Sequence, residues 1–165
     1  MNLNNAYYKE SEVQLVLVDD EDMVLNTLES FLELETDYNI HSFNDPAAAV
    51  AYGQENNIDL VVSDFLMPGT NGIELLRAFG QSNPQAPRIL LTGYADKASA
   101  IKAINEVGLF QYLEKPWDND QILVVFRNAL ERRFLVKALQ EKIAEIDKAQ
   151  GRLSGLQDDI LRTFI

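Results

Sequence analysis

The residues best suited to chemistry follow four short apolar segments, at the point where each segment ends. They supply three carboxylates, one hydroxyl and one ammonium group, in the order Asp19-Asp20, Asp64, Thr92 and Lys115. Two carboxylates at about 4 Å repel by roughly 4 kcal/mol in an effective dielectric of about 20, so three that converge need a cation. Hard oxygen ligands suit Mg²⁺, which often bridges protein carboxylates to a phosphoryl group. Mn²⁺ is a second candidate for the same ligands.

With a cation in place, one of these carboxylates can act as a nucleophile toward phosphorus. Lys115 would neutralise a phosphoryl oxygen as a point charge, and the Thr92 hydroxyl would donate to another oxygen. Gly93, which follows Thr92, leaves room for the group to enter. The residue types therefore predict a site for phosphoryl chemistry that depends on a divalent cation.

The segments that must position these residues alternate between apolar strands and amphipathic helices. The predicted strands cover residues 13–18, 38–43, 58–63, 88–91 and 110–113, and the predicted helices cover 22–34, 47–55, 73–79, 96–107 and residues from about 118 onward. Strands that alternate with helices imply right-handed crossovers and a parallel sheet, the doubly wound α/β class. Ligands bind such sheets outside the carboxyl ends of the strands, where all the candidate residues fall.

Composition excludes several classes of function. The 165 residues include no cysteine, which suits a reducing cytoplasm and excludes thiolate chemistry. Residues 1–124 contain 20 acidic and 6 basic residues, a net charge of −14, whereas residues 125–165 have a net charge of +2. A segment with so large a negative charge repels the phosphate groups of nucleic acid. No apolar run is long enough to span a membrane, and the polar N-terminus lacks the apolar region of a signal peptide.

Four motifs together resemble the signature of bacterial response-regulator receiver domains, the CheY-like family. They are Leu17-Val18-Asp19-Asp20-Glu21, Val61-Val62-Ser63-Asp64-Phe65-Leu66-Met67-Pro68-Gly69, Leu91-Thr92-Gly93 and Glu114-Lys115-Pro116. The resemblance covers roughly residues 12–133 and implies a flavodoxin-like (βα)5 fold with sheet order 2-1-3-4-5. We therefore expect a flexible segment over residues 1–12, a receiver domain over 13–133 and a helical extension over 134–165.

The resemblance also implies a role for each residue at the metal site. Asp64 would be the phosphoacceptor, which takes its phosphoryl group from a sensor histidine kinase or a histidine phosphotransfer protein. Asp20, Asp64 and the backbone carbonyl of Leu66 would ligate Mg²⁺ directly. Asp19 would act through a metal-bound water. The implied function is that of the receiver in a two-component signal-transduction system.

Thr92 and Lys115 would contact the phosphoryl group, and the Lys115–Pro116 peptide bond would be cis. Tyr112 matches the aromatic switch position of the family, which turns inward when Thr92 moves toward phosphate. A half-buried strand aromatic is the alternative interpretation of Tyr112. Phosphorylation would change the surface of the last two strand–helix units.

We expect a signalling switch rather than an enzyme, with self-catalysed phosphoryl transfer and slow self-dephosphorylation only. Phe65, Leu66 and the bulky Tyr94 would hinder the access of water to the acyl phosphate. A Mg²⁺-dependent phosphatase with an aspartate nucleophile is one alternative, although Leu66 stands where such enzymes usually carry a second acidic residue. A receiver-like scaffold that binds its partner without phosphorylation is the other.

The C-terminal residues fit heptads in which Leu139 takes position a. Position a then holds Leu139, Ile146, Leu153 and Ile160, and position d holds Leu135, Lys142, Ala149, Leu156 and Thr163. Two polar residues at d, together with Gly151 and Gly155, weaken the pattern. We expect a coiled-coil linker toward an output module, which a weaker resemblance identifies as the HD-GYP type, and a homodimer through this helix or the last two strand–helix units. A single helix folded back on the receiver is the alternative.

Overall fold

The structure of the chain, a computed structural model, describes residues 8–107 and 111–164. The side chains of Tyr94, Val107, Thr163 and Phe164 also lie outside its description. Phe110, the predicted start of the fifth strand, and most of the predicted flexible segment 1–12 are therefore not covered. The contacts divide the chain into two units, Met1–Arg133 and Phe134–Ile165.

Five parallel strands form the main sheet. They are β1 (Gln14–Val18), β2 (Asn39–Phe43), β3 (Leu60–Asp64), β4 (Arg88–Thr92) and β5 (Gln111–Glu114). Their order is β2-β1-β3-β4-β5, with parallel pairing throughout, which confirms the predicted flavodoxin-like order 2-1-3-4-5. The central strands β1 and β3 are buried along almost their whole length, as expected for strands covered on both faces.

Five helices alternate with these strands. They are α1 (Asp22–Glu35), α2 (Pro46–Glu55), α3 (Gly72–Ser82), α4 (Lys97–Val107) and α5 (Asn119–Phe164). The α1 helix buries Leu25, Leu28 and Leu32, which recur on one face at spacings of three and four. The α2 helix begins at Pro46 because the Asp45 carboxylate caps it, accepting from the backbone N–H of Ala47 at 3.1 Å. The alternation predicted from the apolar pattern is thus confirmed.

A two-stranded antiparallel ribbon between β3 and α3 was not predicted from the sequence. It pairs Leu66–Met67 with Thr70–Asn71, and Gly69 in the turn has φ +77°, a conformation that side chains other than glycine rarely adopt. Strands of two residues are too short to show a period of two, so the sequence predicted no strand here. The ribbon holds the segment that directly follows Asp64.

The described part of the N-terminal segment contacts the sheet edge. Glu10–Glu12 form a single 3-10 turn. The Asn39 side-chain amide donates to the Ser11 carbonyl at 2.8 Å, and the Glu10 carboxylate accepts from the backbone N–H of Asp37 at 3.2 Å. Within the described ranges, no helix is both long enough and apolar enough to cross a bilayer.

His41, the only histidine, makes a test of stability against pH possible. It lies on β2, where Nε2 is 2.8 Å from Oε1 of Gln14 and the ring stacks at a tilt on Tyr52. Burial lowers the pKa of His41 below its usual value. The unfolded chain therefore binds this proton more readily, so stability should fall as the pH drops below about 6.5.

The measurement is urea unfolding of wild type and His41→Gln at about pH 7.5 and about pH 5.5. We expect the loss of stability between these pH values to be smaller in the variant, which lacks the titrating group. An equal loss in both proteins would contradict the assigned environment of His41.

Candidate functional site

Three carboxylates meet at the carboxyl ends of β1 and β3. Asp19 and Asp20 directly follow β1, and Asp64 is the last residue of β3. The parallel register sets Val18 beside Ser63, which brings the two strand ends level. One oxygen from each carboxylate lies within 4.8 Å of the other two. Asp19 and Asp64 are 2% and 7% exposed, whereas Asp20 is exposed to solvent.

The ammonium group of Lys115 lies against this cluster. Its Nζ is 2.9 Å from Oδ1 of Asp64 and 3.3 Å from Oδ2 of Asp19. Lys115 follows β5, and its backbone N–H donates to the Thr92 carbonyl at 2.8 Å. The Lys115–Pro116 peptide bond is cis. The sheet thus gathers groups from three strand ends that are up to 96 residues apart in sequence.

Charge and burial act against each other at this cluster. Burial raises the pKa of Asp19, and the nearby Asp64 carboxylate raises it further. The backbone N–H of Glu21, at 2.9 Å, and the Lys115 ammonium partly offset that rise. Burial alone would lower the pKa of Lys115, but the two carboxylates outweigh it, so that this pKa lies above its usual value. The ammonium is therefore held charged by the anions it contacts.

Thr92 is fully buried at the end of β4. Its hydroxyl donates to the carbonyl of Gly93 at 3.1 Å. The backbone carbonyl of Thr92 accepts from the backbone N–H of Lys115, whereas the Thr92 hydroxyl is hydrogen-bonded to the next residue in the chain. A phosphoryl group at Asp64 would have to compete with Gly93 for this donor.

The remaining predicted site residues lie outside the carboxylate cluster. Tyr112, beside Leu90 in the β4–β5 register, is half-buried and packs against the hydrophobic core. Phe65 also packs against that core. The side chain of Leu66 is 59% exposed, and the role of its carbonyl as a metal ligand stays a prediction.

Sequence reasoning missed Gly72, which directly precedes the helix predicted over residues 73–79. Gly72 is the first residue of α3, and its N–H donates to the Phe65 carbonyl at 2.8 Å. A Cβ at this position would overlap the backbone carbonyl oxygen of Asp64 and lie 2.8 Å from Cδ1 of Leu90. The available signal was a glycine directly after Asn71, whose side chain caps α3. Its absent side chain lets α3 pack directly on the backbone of Asp64.

The cluster has the chemistry of a site for a hard divalent cation. All three side chains offer carboxylate oxygens, which Mg²⁺ prefers, and exposed Asp20 leaves one side open to solvent. Lys115 contacts one oxygen of Asp64 and one of Asp19, and the second oxygen of Asp19 accepts from the backbone N–H of Glu21. The second oxygen of Asp64 and the exposed carboxylate of Asp20 are left to ligate. The residues present therefore fit such a cation.

Comparison with known proteins gives the class to which this fold and site belong. The family described as "Response regulator receiver domain" matches residues 15–127. The chain is 33% identical to the C4-dicarboxylate transport transcriptional regulatory protein DctD of Pseudomonas aeruginosa, over 88% of the chain and 32% of that relative. The chain spans about a third of the length of the first curated relatives it matches.

Comparison with solved structures gives the same class of protein. The signal receiver domain of an HD domain-containing protein from Pseudomonas fluorescens Pf-5 is 36% identical, with a TM-score of 0.68 over 73% of this chain and 96% of that one. A structure described as adenylate cyclase from Rhodopirellula baltica is 26% identical, with a TM-score of 0.75 over 83% of this chain and 98% of that one.

The chain therefore belongs to the response regulator receiver family. It is a receiver domain of the two-component type, a signalling switch domain, as its sequence motifs predicted. Membership of this family does not favour the two alternatives, a phosphatase and a scaffold that works without phosphorylation.

Proposed function

We propose that Asp64 is the phosphoacceptor and takes its phosphoryl group from a sensor histidine kinase or a histidine phosphotransfer protein. The observation that carries this assignment is the position of Lys115, whose ammonium lies 2.9 Å from Asp64 and 3.3 Å from Asp19. The positive charge of the Lys115 ammonium thus already lies against the anionic cluster, where it would neutralise a phosphoryl oxygen. Asp64 is the last of the three carboxylates along the chain and ends the fully buried strand β3.

Mg²⁺ is the cofactor we assign, and Mn²⁺ would suit the same ligands. Asp20, Asp64 and the Leu66 carbonyl would hold the cation directly, and Asp19 would hold it through a water. When bound, the cation neutralises charge on the phosphoryl oxygens. The oxygen donors of the cluster lie within 4.8 Å of one another, which supports this assignment.

The chemical step is an exchange of bonds at phosphorus. A carboxylate oxygen of Asp64 forms a bond to phosphorus while the P–N bond to the donor's imidazole breaks. The bonding electrons go to the imidazole nitrogen, which takes up a proton, and Asp64 becomes an acyl phosphate. Lys115 would stabilise the negative charge on the phosphoryl oxygens during this step.

Thr92 and Tyr112 would change conformation when Asp64 is phosphorylated. The Thr92 hydroxyl would leave the Gly93 carbonyl for a phosphoryl oxygen, and Tyr112 would move with it. Such a movement would alter the surface of α4, β5 and α5, and with it the C-terminal helix. The hydrogen bond that the Thr92 hydroxyl donates to the Gly93 carbonyl, at 3.1 Å, would have to break, and this supports a switch of this kind.

We assign residues 13–133 to the receiver and residues 134–165 to an amphipathic helix that links it to an output module and pairs two copies. The protein acts in the cytoplasm without binding nucleic acid or membrane, in keeping with its net charge of −12. Self-dephosphorylation is slow because the apolar Leu66 borders the site. A phosphorylated form that decays within seconds would contradict that rate.

The function is tested with beryllofluoride, a phosphoryl mimic, in the presence of Mg²⁺. Trp117, the only tryptophan, lies two residues after Lys115 and reports on the site by its fluorescence. We expect a spectral change and a change of oligomer size in wild type and neither in Asp64→Asn. Turnover of a phosphate ester would favour a phosphatase, and no binding at all would favour a scaffold that works without phosphorylation.

Lys115→Met should separate cation binding from phosphoryl transfer. The variant removes a positive charge that opposes the cation, so the affinity for Mg²⁺ should rise on the order of tenfold, about 1.4 kcal/mol. Phosphoryl uptake should fall because no ammonium remains to neutralise the incoming oxygens. Calorimetric titration with Mg²⁺ measures the first effect, and Lys102→Met, at a side chain 77% exposed, is the matched control. Unchanged or weaker Mg²⁺ binding in Lys115→Met would count against the assigned site.

A further inference from the structure

The C-terminal part of α5 carries a row of large apolar side chains that are more than half exposed. They are Leu139 (55%), Ile143 (57%), Ile146 (53%), Leu153 (61%), Leu156 (58%) and Ile160 (55%). Exposed apolar rows of this size are typical of interaction sites. An isolated helix gains little stability from its own backbone, so this row needs a covering partner.

The spacing of the row is not that of a continuous heptad. From Val136 onward, apolar residues recur at steps of three, four, three, three, four, three and four. The row is Val136, Leu139, Ile143, Ile146, Ala149, Leu153, Leu156 and Ile160. Two successive steps of three, around Ile146, equal an insertion of three residues into the heptad, which locally overwinds a coiled coil. All eight positions are apolar, whereas the continuous heptad on Leu139 places Lys142 in the core.

We propose that this row pairs with the same row of a second copy, as a parallel and in-register two-stranded coiled coil with the discontinuity at Ile146–Ala149. The pairing rests on the proposed role of the C-terminal helix in dimerisation and goes further, because it assigns the core residues, the direction and the register.

Charge complementarity supports the parallel direction. Around Ile143 the revised register places Lys142 at position g and Asp147 at position e. A parallel coiled coil sets position g against position e five residues further along the second copy. Lys142 of each copy then faces Asp147 of the other, which gives two favourable pairs. In an antiparallel pair, position g lies beside position g of the second copy. Lys142 would then lie near the cationic Arg152 of the second copy, which is unfavourable.

The rest of the helix agrees with this register. In its second half, Arg152 at g faces the neutral Gln157 at e, so no like charges meet. Gly151 and Gly155 fall on the outer face, and a Cβ at either would meet nothing within 4 Å. Leu161 is an exposed apolar residue that lies off the row.

Cysteine crosslinking of the full chain tests the register, because the natural sequence contains no cysteine. A disulfide needs Cα atoms about 4.4–6.8 Å apart, which two-stranded coils offer only at core positions. We expect Ile143→Cys and Ile146→Cys to form linked dimers in high yield and Lys142→Cys to form few. Efficient linking at Lys142→Cys with little at Ile143→Cys would establish the continuous heptad instead. Linking only in mixtures of Leu139→Cys with Leu156→Cys would establish an antiparallel pair.

Sedimentation of the unmodified chain separates this inference from the dimer on which it rests. A chain that stays monomeric at every concentration, with and without beryllofluoride, would overturn both. A dimer with a different crosslinking pattern would overturn the register alone.

A charge exchange tests the direction independently. Lys142→Glu and Asp147→Lys should each raise the dissociation constant of the dimer, on the order of fivefold, and the double variant should return it toward wild type. Lys148→Glu, on the outer face, is the matched control and should change little. Single variants that weaken the dimer without rescue in the double variant would overturn the parallel, in-register pairing.

Discussion

Asp64→Asn should abolish the uptake of phosphoryl groups from a small donor such as acetyl phosphate. An amide oxygen is a far weaker nucleophile than a carboxylate, and the variant removes one of the three anions proposed to hold the cation. The fold should persist, because the change is nearly isosteric and also relieves repulsion with Asp19 in the cluster. Phosphate NMR after incubation with donor and Mg²⁺ measures the uptake.

Asp37→Asn provides the control for this experiment. Asp37 is an exposed carboxylate before β2 and lies outside the cluster, so its variant should take up phosphate like wild type. Equal uptake by Asp64→Asn and wild type would show that another group is the acceptor. Loss of uptake in both variants would point to a general effect of charge.

Gly72→Ala should destabilise the fold by several kcal/mol, although it adds a single methyl group. That methyl would overlap the backbone carbonyl oxygen of Asp64 and lie 2.8 Å from Cδ1 of Leu90. Backbone atoms cannot move aside as the end of a flexible side chain can, so α3 or β3 must shift. Overpacking in a close-packed interior costs about 1–3 kcal/mol, and more where the backbone itself must move. Urea unfolding measures the loss.

Gly151→Ala is the matched control, because it adds the same methyl group to the same fold. Nothing lies within 4 Å of a Cβ at Gly151, in the C-terminal third of α5. The change should stabilise the helix by about 1 kcal/mol, the difference in helix propensity between the two residues. Equal stability of Gly72→Ala and wild type would contradict the close packing of α3 on β3.

The fold followed from the sequence because its strands are strongly patterned. The β3 segment is short, apolar and ends in Asp64, and the helices between strands are long enough to show their period. The alternation of strands and helices leaves one common topology, a parallel sheet with right-handed crossovers. Since parallel strands end at one edge, the meeting of Asp19, Asp64 and Lys115 was also predictable.

Features that depend on atomic distances could not be predicted from the sequence. The orientation of the Thr92 hydroxyl toward Gly93 depends on a rotation that no residue pattern encodes. The requirement for glycine at position 72 arises from contact with Asp64 and Leu90, which are remote in sequence. The ribbon after β3 is held by two residue pairs, Leu66 with Asn71 and Met67 with Thr70, which is too few to leave a periodic signal.

The core of the helix beyond residue 134 stays a prediction with two candidate registers. A strict repeat of seven keeps one phase through the whole segment and places Lys142 in the core. The proposed row changes phase near Ile146 and places the exposed Ile143 there instead. Crosslinking at these two positions distinguishes the registers.

The most direct test of the phosphoacceptor site is to locate the phosphoryl group by peptide mass spectrometry. The wild-type chain is incubated with acetyl phosphate, with and without Mg²⁺, and digested under conditions that preserve acyl phosphates. We expect one phosphoryl group per chain, on the peptide that contains Asp64 and only when Mg²⁺ is present. A phosphoryl group on any other residue, or uptake that needs no divalent cation, would contradict the assigned site.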